Sequence, residues 1–297
     1  MPLVGLVTVL YKSDDVLEGF IKSLYEQTFT DYCLYLIDND PNPQTDKVLM
    51  DLLAIYPIQN YKHIKSEFNY GVAKGNNEGI KLSLESKTSY TLLLNNDIEF
   101  DNVNGLKSFV DLAIEKKESI VIPKILFYGT NKIWMAGGKL IKYKGVTIHA
   151  GEGDDDDGKY DVDKYFKYAP TCFMLIHNSV FKNVGLMDEK YFVYYDDTDF
   201  IYRCIVKGYQ IYYYHNFKIF HKVSFSTGGD DSLFSIYYGR RNRIYFLTKN
   251  LNFIERIIPI TYTFCTSLLK SLKYNSAQRE KIFKGLIDGF KLNLKNN

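Results

Sequence analysis

Acids and amides in this sequence gather where short apolar runs stop. Tyr90 to Leu94 is such a run, without helical period, and Asn95, Asn96 and Asp97 follow it at once. That pattern reads as a strand buried on both faces. Ligands of open α/β sheets bind just beyond the carboxyl ends of strands, so Asp97 is aimed at a ligand or a metal. Cys33 to Ile37 ends the same way in Asp38-Asn39-Asp40, and Leu3 to Leu10 ends at Tyr11. A further group, Asp196, Asp197 and Asp199, stands directly before a helical stretch that stops near Gly208. One carboxylate there is explained by the helix dipole; three exceed what capping needs. Any single group could be a turn, but four polar ends on one rim, at Tyr11, Asp38, the Asn69 loop and Asp97, point to a shared site.

The elements that would hold these residues follow a simple alternation. After the first strand, Val16, Leu17, Phe20, Ile21 and Leu24 recur at helical spacing; Thr45 to Tyr56 reads as a second helix, and Tyr61 to Ile64 as a third strand. The loop from Phe68, with Asn69, Gly71, Gly75 and Asn76, opens the helix that leads to Tyr90. Strand and helix in turn predict an α/β fold on a parallel sheet with right-handed crossovers. The second half is less regular. It offers a helix over 102–116, a strand over 119–123, a strand pattern over 165–177 and a short helix over 178–185. Gly129 to Gly158 is glycine-rich and holds the single tryptophan, Trp134; Asp154 to Asp157 within it read as a solvated acidic loop.

Composition sets the outer limits. With 297 residues, 46% hydrophobic and a net charge of +2, the chain suits one large domain with an appendage and carries no strong global field. Nucleic-acid binding is not expected, because basic residues do not interleave with aromatics. Four scattered cysteines make neither a metal spacing nor a disulfide framework, which predicts reduced thiols and a cytoplasmic setting. The apolar start lacks a basic n-region and reads as a strand.

In order along the chain, T-V-L-Y at Thr8 to Tyr11, I-D-N at Ile37 to Asn39, N-Y-G-V-A-K-G-N-N-E-G-I at Asn69 to Ile80 and L-L-N-N-D-I at Leu93 to Ile98 form a series. It continues with G-L-M-D-E-K-Y-F-V-Y-Y-D-D-T-D-F at Gly185 to Phe200, Arg203, Gly208-Tyr209, His221 with Ser226, and Y-Y-G-R-R-N at Tyr237 to Asn242. From about residue 3 to 250 this resembles the family 2 inverting glycosyltransferases, in detail their rhamnosyltransferase-like bacterial branch. The resemblance implies a GT-A fold: a Rossmann-like, mostly parallel central sheet flanked by helices. Its expected division is a domain over 1–249, with a nucleotide-binding half (1–101) and an acceptor-binding half (102–249), and a helical appendage over 250–297.

The resemblance also distributes roles. Asp38 would accept from a uracil or thymine ring N–H beside a wall formed by Thr8 to Tyr11, with Asn39 adjoining. Asn69, Gly71, Gly75 and Asn76 would approach ribose or donor sugar, together with Asn95 and Asn96. Asp97 and His221 would hold Mg2+ or Mn2+ against the departing diphosphate; Asn95 stands where many relatives carry aspartate. Arg240 and Arg241 would clamp phosphate oxygens. Asp197 is the expected catalytic base and Asp196 its partner, while Trp134, Asp196 and Asp199 would meet the acceptor, with Asp199 also able to orient Arg203. The implied partners are a nucleoside-diphosphate sugar and a glycan or lipid-linked acceptor. Two other classes share the fold, a catalytically silent carbohydrate-binding scaffold and a sugar nucleotidyltransferase. The first would lose the base, and the second needs a glycine- and arginine-rich loop that Tyr11-Lys12-Ser13-Asp14 is not.

The last segment is basic, with eight Lys or Arg against three acids after Asn250. Ile282, Phe283, Leu286, Ile287, Phe290 and Leu294 share one helical face, with Lys281, Lys284, Lys291 and Lys295 on another. Such a helix could lie on the inner face of an anionic membrane, pack on its own domain, or make a homodimer.

Overall fold

The computed structural model describes residues 1–40, 42–223, 229 and 231–294; Ser226 and Lys295 lie outside the described residues. The first half runs β1 (Val4–Leu10), α1 (Leu17–Tyr25), β2 (Tyr32–Asp38), α2 (Pro43–Ile55), β3 (Tyr61–Lys65), α3 (Gly71–Glu85) and β4 (Tyr90–Leu94). β1 pairs in parallel with β2 and β4, and β2 with β3. The chain therefore moves outward from β1 to β3 and then crosses back to β4 on the other side of β1. That reversal opens a crevice at the carboxyl ends, the usual ligand position in such sheets. Helices cover both faces, so every residue of β2 and β4 is buried, which is why those strands are unbroken apolar runs.

The second half adds β5 (Ile98–Phe100), α4 (Gly105–Glu115), β6 (Ile120–Phe127), β7 (Ile133–Met135), β8 (Gly138–Ile141), β9 (Val146–His149), β10 (Lys164–Phe166) and β11 (Phe173–His177). It closes with α5 (Ser179–Val184), a 3-10 turn at Glu189–Tyr191, α6 (Asp196–Val206), β12 (Ile211–His221), α7 (Leu233–Asn250), α8 (Phe253–Ser271) and α9 (Ser276–Leu294). β11 enters antiparallel between β4 and β6, and β12 lies parallel to β6, giving the order β10-β12-β6-β11-β4-β1-β2-β3. The expected helix-flanked α/β sheet is present, parallel through its first half and mixed beyond.

Two expectations are corrected, and one of the alternatives for the last segment is met. The strand pattern over 165–177 is two strands, β10 at the sheet edge and β11 at its centre, because Pro170 supplies no ladder donor between them. Asp154 to Asp157 are not all solvated. The Asp156 side chain is 3% exposed and accepts from Lys124 and Lys218, each at 2.6 Å, and Lys124 also reaches Asp161. A lysine buried in β6 requires counter-charge, and the acidic loop folds back to provide it. Finally, part of the apolar face of α9 is occupied: Ile282 and Leu286 pack on Ile236 and Ile244 of α7, while Phe283 and Ile287 stay exposed. A Cβ at Gly289 would stand 2.4 Å from the Arg241 carbonyl, so the two helices touch backbone to backbone. Among the described residues no helix is long and apolar enough to cross a membrane.

Candidate functional site

A cavity of about 640 Å3 fills the crevice where the strand order reverses. The end of β1 contributes Val9, Tyr11 and Lys12, that of β2 Asn39, and that of β4 Asn95, Asn96 and Asp97; Asn69, Gly71 and Asn76 close one side. Phe192, Val193, Phe234 and Tyr238 form an apolar wall opposite. Gly71 is required here for two reasons. Its φ is +80°, and a Cβ would meet the Phe192 carbonyl at 2.4 Å. That carbonyl accepts from Val72 N at 2.6 Å, so the start of α3 is tied to the segment that leads into the acid pair.

Asp97 lines the cavity and has a free side. His221 Nε2 stands 3.1 Å from Asp97 Oδ1, an ion-pair distance. Both Asp97 Oδ1 and His221 Nδ1 are buried without a hydrogen-bond partner. Burial alone would raise the Asp97 carboxyl, but His221 and Asn95 outweigh it and hold the group below its ordinary value. A buried anion with an unused lone pair beside a histidine fits a hard divalent cation, provided ligand and water oxygens complete the shell. Among the described residues no group of three or more His, Cys, Asp or Glu gathers for a metal, so the protein itself offers these two donors.

From His221 a belt of rings runs to the acid pair. Trp134 packs edge-on against His221 at 4.5 Å and against His149 at 4.6 Å; His149 stacks on Tyr168 at 6.3 Å. Tyr168 then donates to Asp197 Oδ2 at 2.8 Å, while Asp197 Oδ1 accepts from Thr198 N at 2.6 Å. The preceding loop is strained, with φ of +65° at Phe192, +60° at Tyr194 and +63° at Tyr195. Left-handed backbone at non-glycine residues costs about 1 kcal/mol each and persists only where neighbours enforce it. The enforcer is Asn242, fully buried on α7, whose Nδ2 stands 2.9, 2.6 and 2.9 Å from the carbonyls of Tyr191, Val193 and Tyr194.

The pair itself is electrostatically loaded. Burial and the neighbouring Asp197 charge push Asp196 up to about 8, and burial raises Asp197 against the pull of Tyr168 and Thr198. A carboxyl raised in the fold favours the folded state at low pH and loses that contribution as pH climbs to the folded value. Asp196→Asn, which cannot ionise, is therefore expected to melt above the parent. Its advantage should grow between about pH 5 and about pH 8, by about 2–4 °C for each kcal/mol of linkage. Differential scanning calorimetry across that range checks it; a pH-independent difference refutes the assignment.

The structure brings Tyr11, Asn39, Asn69, Gly71, Asn76, Asn95, Asn96 and Asp97 to one cavity. Others stand elsewhere. Thr8 is buried inside β1, and Gly75 sits against Val9, where a Cβ would come within 2.8 Å and push α3 off β1. Asp38 is 2% exposed, pairs with His63 at 3.2 Å and accepts from Asp40 N at 2.9 Å. Arg241 donates to the carbonyls of Lys190 and Tyr191 and stacks on Tyr238, so it holds the strained loop. Arg240 is largely desolvated beside Arg243, which lowers its affinity for its proton. Asp199 is fully buried and engaged by Arg203, Tyr191, Asn250 and Lys249. Sequence reasoning passed over Lys12, the aromatic wall, His149, Tyr168 and Asn242. Asn242 and Tyr238 carried a signal within the Tyr237 to Asn242 motif, and Phe192 within that at Gly185 to Phe200.

Comparison with known proteins adds an independent line. The low-salt glycan biosynthesis hexosyltransferase Agl10 of Haloferax volcanii is 27% identical over 269 residues, covering 89% of this chain and 81% of its own. The dTDP-rhamnosyl transferase RfbF of Shigella flexneri is 26% identical over 298 residues, covering 93% and 90%. S. aureus TarS 1-349, crystallised with UDP, superposes with a TM-score of 0.59 at 14% identity, over 97% of this chain and 80% of that one. GalNAc-T7 with UDP, GalNAc and Mn2+ gives 0.67 at 14% identity over 96% of this chain, which spans about half of it at 54%. At such identity the structural likeness is one of fold, the GT-A arrangement. Residues 6–185, more than half of the chain, match the profile described as Glycosyl transferase family 2, and the protein belongs to that family of glycosyltransferases.

Proposed function

We propose that the protein transfers a hexose, with inversion, from a UDP- or dTDP-linked donor to a hydroxyl of a glycan or lipid-linked glycan during cell-surface polysaccharide synthesis. The observation that carries this reading is Asp97, which lines a cavity at the strand-order reversal 3.1 Å from His221, where a belt of rings begins that ends at a buried acid pair. The names of two relatives, a hexosyltransferase and a dTDP-rhamnosyl transferase, support a hexosyl donor with rhamnose as the leading candidate.

In this reading the nucleotide half is 1–101, the acceptor half 102–249, and 250–297 an appendage. Tyr11, Asn39, Asn69, Asn76, Asn95 and Asn96 hold nucleoside and sugar. Asp38 takes the pyrimidine N–H in exchange for His63. Asp97 and His221 would hold Mg2+ or Mn2+, which supplies positive charge to the departing diphosphate. Asp197 accepts the acceptor's hydroxyl proton as that oxygen bonds to the anomeric carbon and the carbon–oxygen bond to diphosphate breaks. Trp134 and Tyr168 shape the acceptor side. Tyr168 on Oδ2 and Thr198 on Oδ1 hold the Asp197 carboxylate in one orientation. A lipid-linked acceptor places the enzyme at the inner face of the cell membrane.

A thermal-shift panel of UDP, dTDP and GDP with and without Mn2+ tests the donor side. UDP or dTDP with Mn2+ should raise Tm by about 5 °C at saturating concentration. Asp97→Ala should keep the metal-free shift and lose the Mn2+-dependent part. No response to either pyrimidine nucleotide would sink the proposal.

A further inference from the structure

Helix α8 is amphipathic in the inverse sense. Its inward stripe is small and largely polar: Pro259, Thr263, Ser267 and Ser271, every fourth residue, are its buried positions. The hydroxyls there turn back on their own helix, Thr263 to the Pro259 carbonyl and Ser271 to that of Leu268, each at 2.6 Å. The outward side carries Phe253 at 70% exposure, Ile254 at 78%, Ile258 at 64%, Leu268 at 59%, Leu269 at 64% and Leu272 at 72%. At 100° per residue these fall within about 160° of the circumference, an arc without a charged residue. Phe283 and Ile287 of α9 add 44% and 55% exposed side chains. A surface helix of a water-soluble protein presents the reverse order, and an apolar face this continuous marks an interaction surface.

Charge indicates what covers it. Lys273, just past the edge of that arc, and Lys284, on the exposed side of α9 beside Ile287, are exposed and form no ion pair among the described residues. Of the three acids after Asn250, two are engaged: Glu255 closes the capping box of α8, and Asp288 accepts from Tyr237 and faces Lys291. A second copy laid on this face would bring two basic rims together. An anionic lipid surface supplies both apolar depth and opposite charge. Since α8 does not qualify as a span, it would lie in the plane of the interface.

We propose that the outward face of α8, with its lysine rim, docks the protein on anionic phospholipid bilayers. The partner surface goes beyond the transferase reading and needs only this helix and its rim. α7 connects it to the chemistry, because Phe234 and Tyr238 at its start line the cavity while α8 and α9 pack along it. A lipid-linked acceptor would then be offered to the cavity without leaving the bilayer.

The test is sedimentation of the full chain with vesicles of about 70% phosphatidylcholine and 30% phosphatidylglycerol, beside phosphatidylcholine alone. The parent should bind the anionic vesicles, more weakly as salt rises, and bind the neutral ones far less. Ile254→Glu/Leu268→Glu should reduce binding by about tenfold or more, and Lys273→Ala/Lys284→Ala by about fivefold per lysine. Because the lysine variant changes only exposed side chains, it tests the proposal even if the glutamate variant misfolds. Failure of the parent to bind anionic vesicles overturns the proposal, as does a parent dimer that Ile254→Glu/Leu268→Glu dissociates. Nucleotide-induced thermal shifts in the same preparations report the donor site separately, so either idea can fail alone.

Discussion

Asp197→Asn is expected to lower kcat for sugar transfer by about 1000-fold while the Kd for UDP or dTDP stays within about threefold of the parent. The asymmetry follows from position. Asp197 does not line the cavity; it lies past Thr171 and Cys172, at the far end of the belt that begins at His221. An asparagine there can still accept from Thr198 N, and its amide can donate to the Tyr168 hydroxyl, so the local frame survives. What disappears is the capacity to take a proton. The chain also predicts how the parent titrates. Burial raises Asp197 and the Tyr168 hydrogen bond lowers it, so a base that works ionised should lose activity as pH falls through a value above the ordinary carboxylate range. Tyr168→Phe deletes the lowering contribution and should move that acidic limb further up. Steady-state rates across pH for the three proteins, with calorimetric Kd values for UDP, check both statements. Retained turnover in Asp197→Asn would remove the base assignment.

Much of the first half was legible because local and global signals coincide there. Strands covered on both faces must be apolar throughout, so their ends are marked by the first polar residues; Tyr11, Asn39 and Asn95 to Asp97 line the cavity, while Asp38 turns to His63. Gly71 showed its need for unusual backbone through its type. The second half had no such markers. β12 escaped notice because its register with β6 shifts between Tyr214 and Lys218, which breaks the alternation a strand would show. Lys124 and Asp156 gave no sign of pairing across 32 residues. His149 ends β9 and Tyr168 lies between β10 and β11, so their ring contact appears only in the fold. Arg241 was misleading for a physical reason: an arginine suits phosphate and backbone carbonyls alike, and here the carbonyls of Lys190 and Tyr191 take it.

Asn242→Ala should be the most damaging change outside the residues that touch substrate. Its side chain is the donor that keeps Phe192, Tyr194 and Tyr195 in left-handed backbone just ahead of Asp196. Removing it leaves buried carbonyls unsatisfied, at about 1–3 kcal/mol for the site, and frees the strain to relax the loop. The resulting displacement of the acid pair should cost about 100-fold in kcat, since misplacement on the order of 1 Å has that effect on an oriented reaction. Unlike Asp197→Asn, it should also weaken nucleotide binding, because Phe192 and Val193 form part of the cavity wall and Phe192 accepts from Val72 at the start of α3. Asn242→Asp separates shape from donation: it is isosteric, yet its carboxylate cannot donate to three carbonyls, so it should fail like alanine. The decisive readout is the pairing of effects at a temperature well below the melting point. A lowered Tm with kcat and nucleotide affinity near parental values would reduce Asn242 to a packing residue. Loss of both at an intact fold makes it the residue that positions base and donor together.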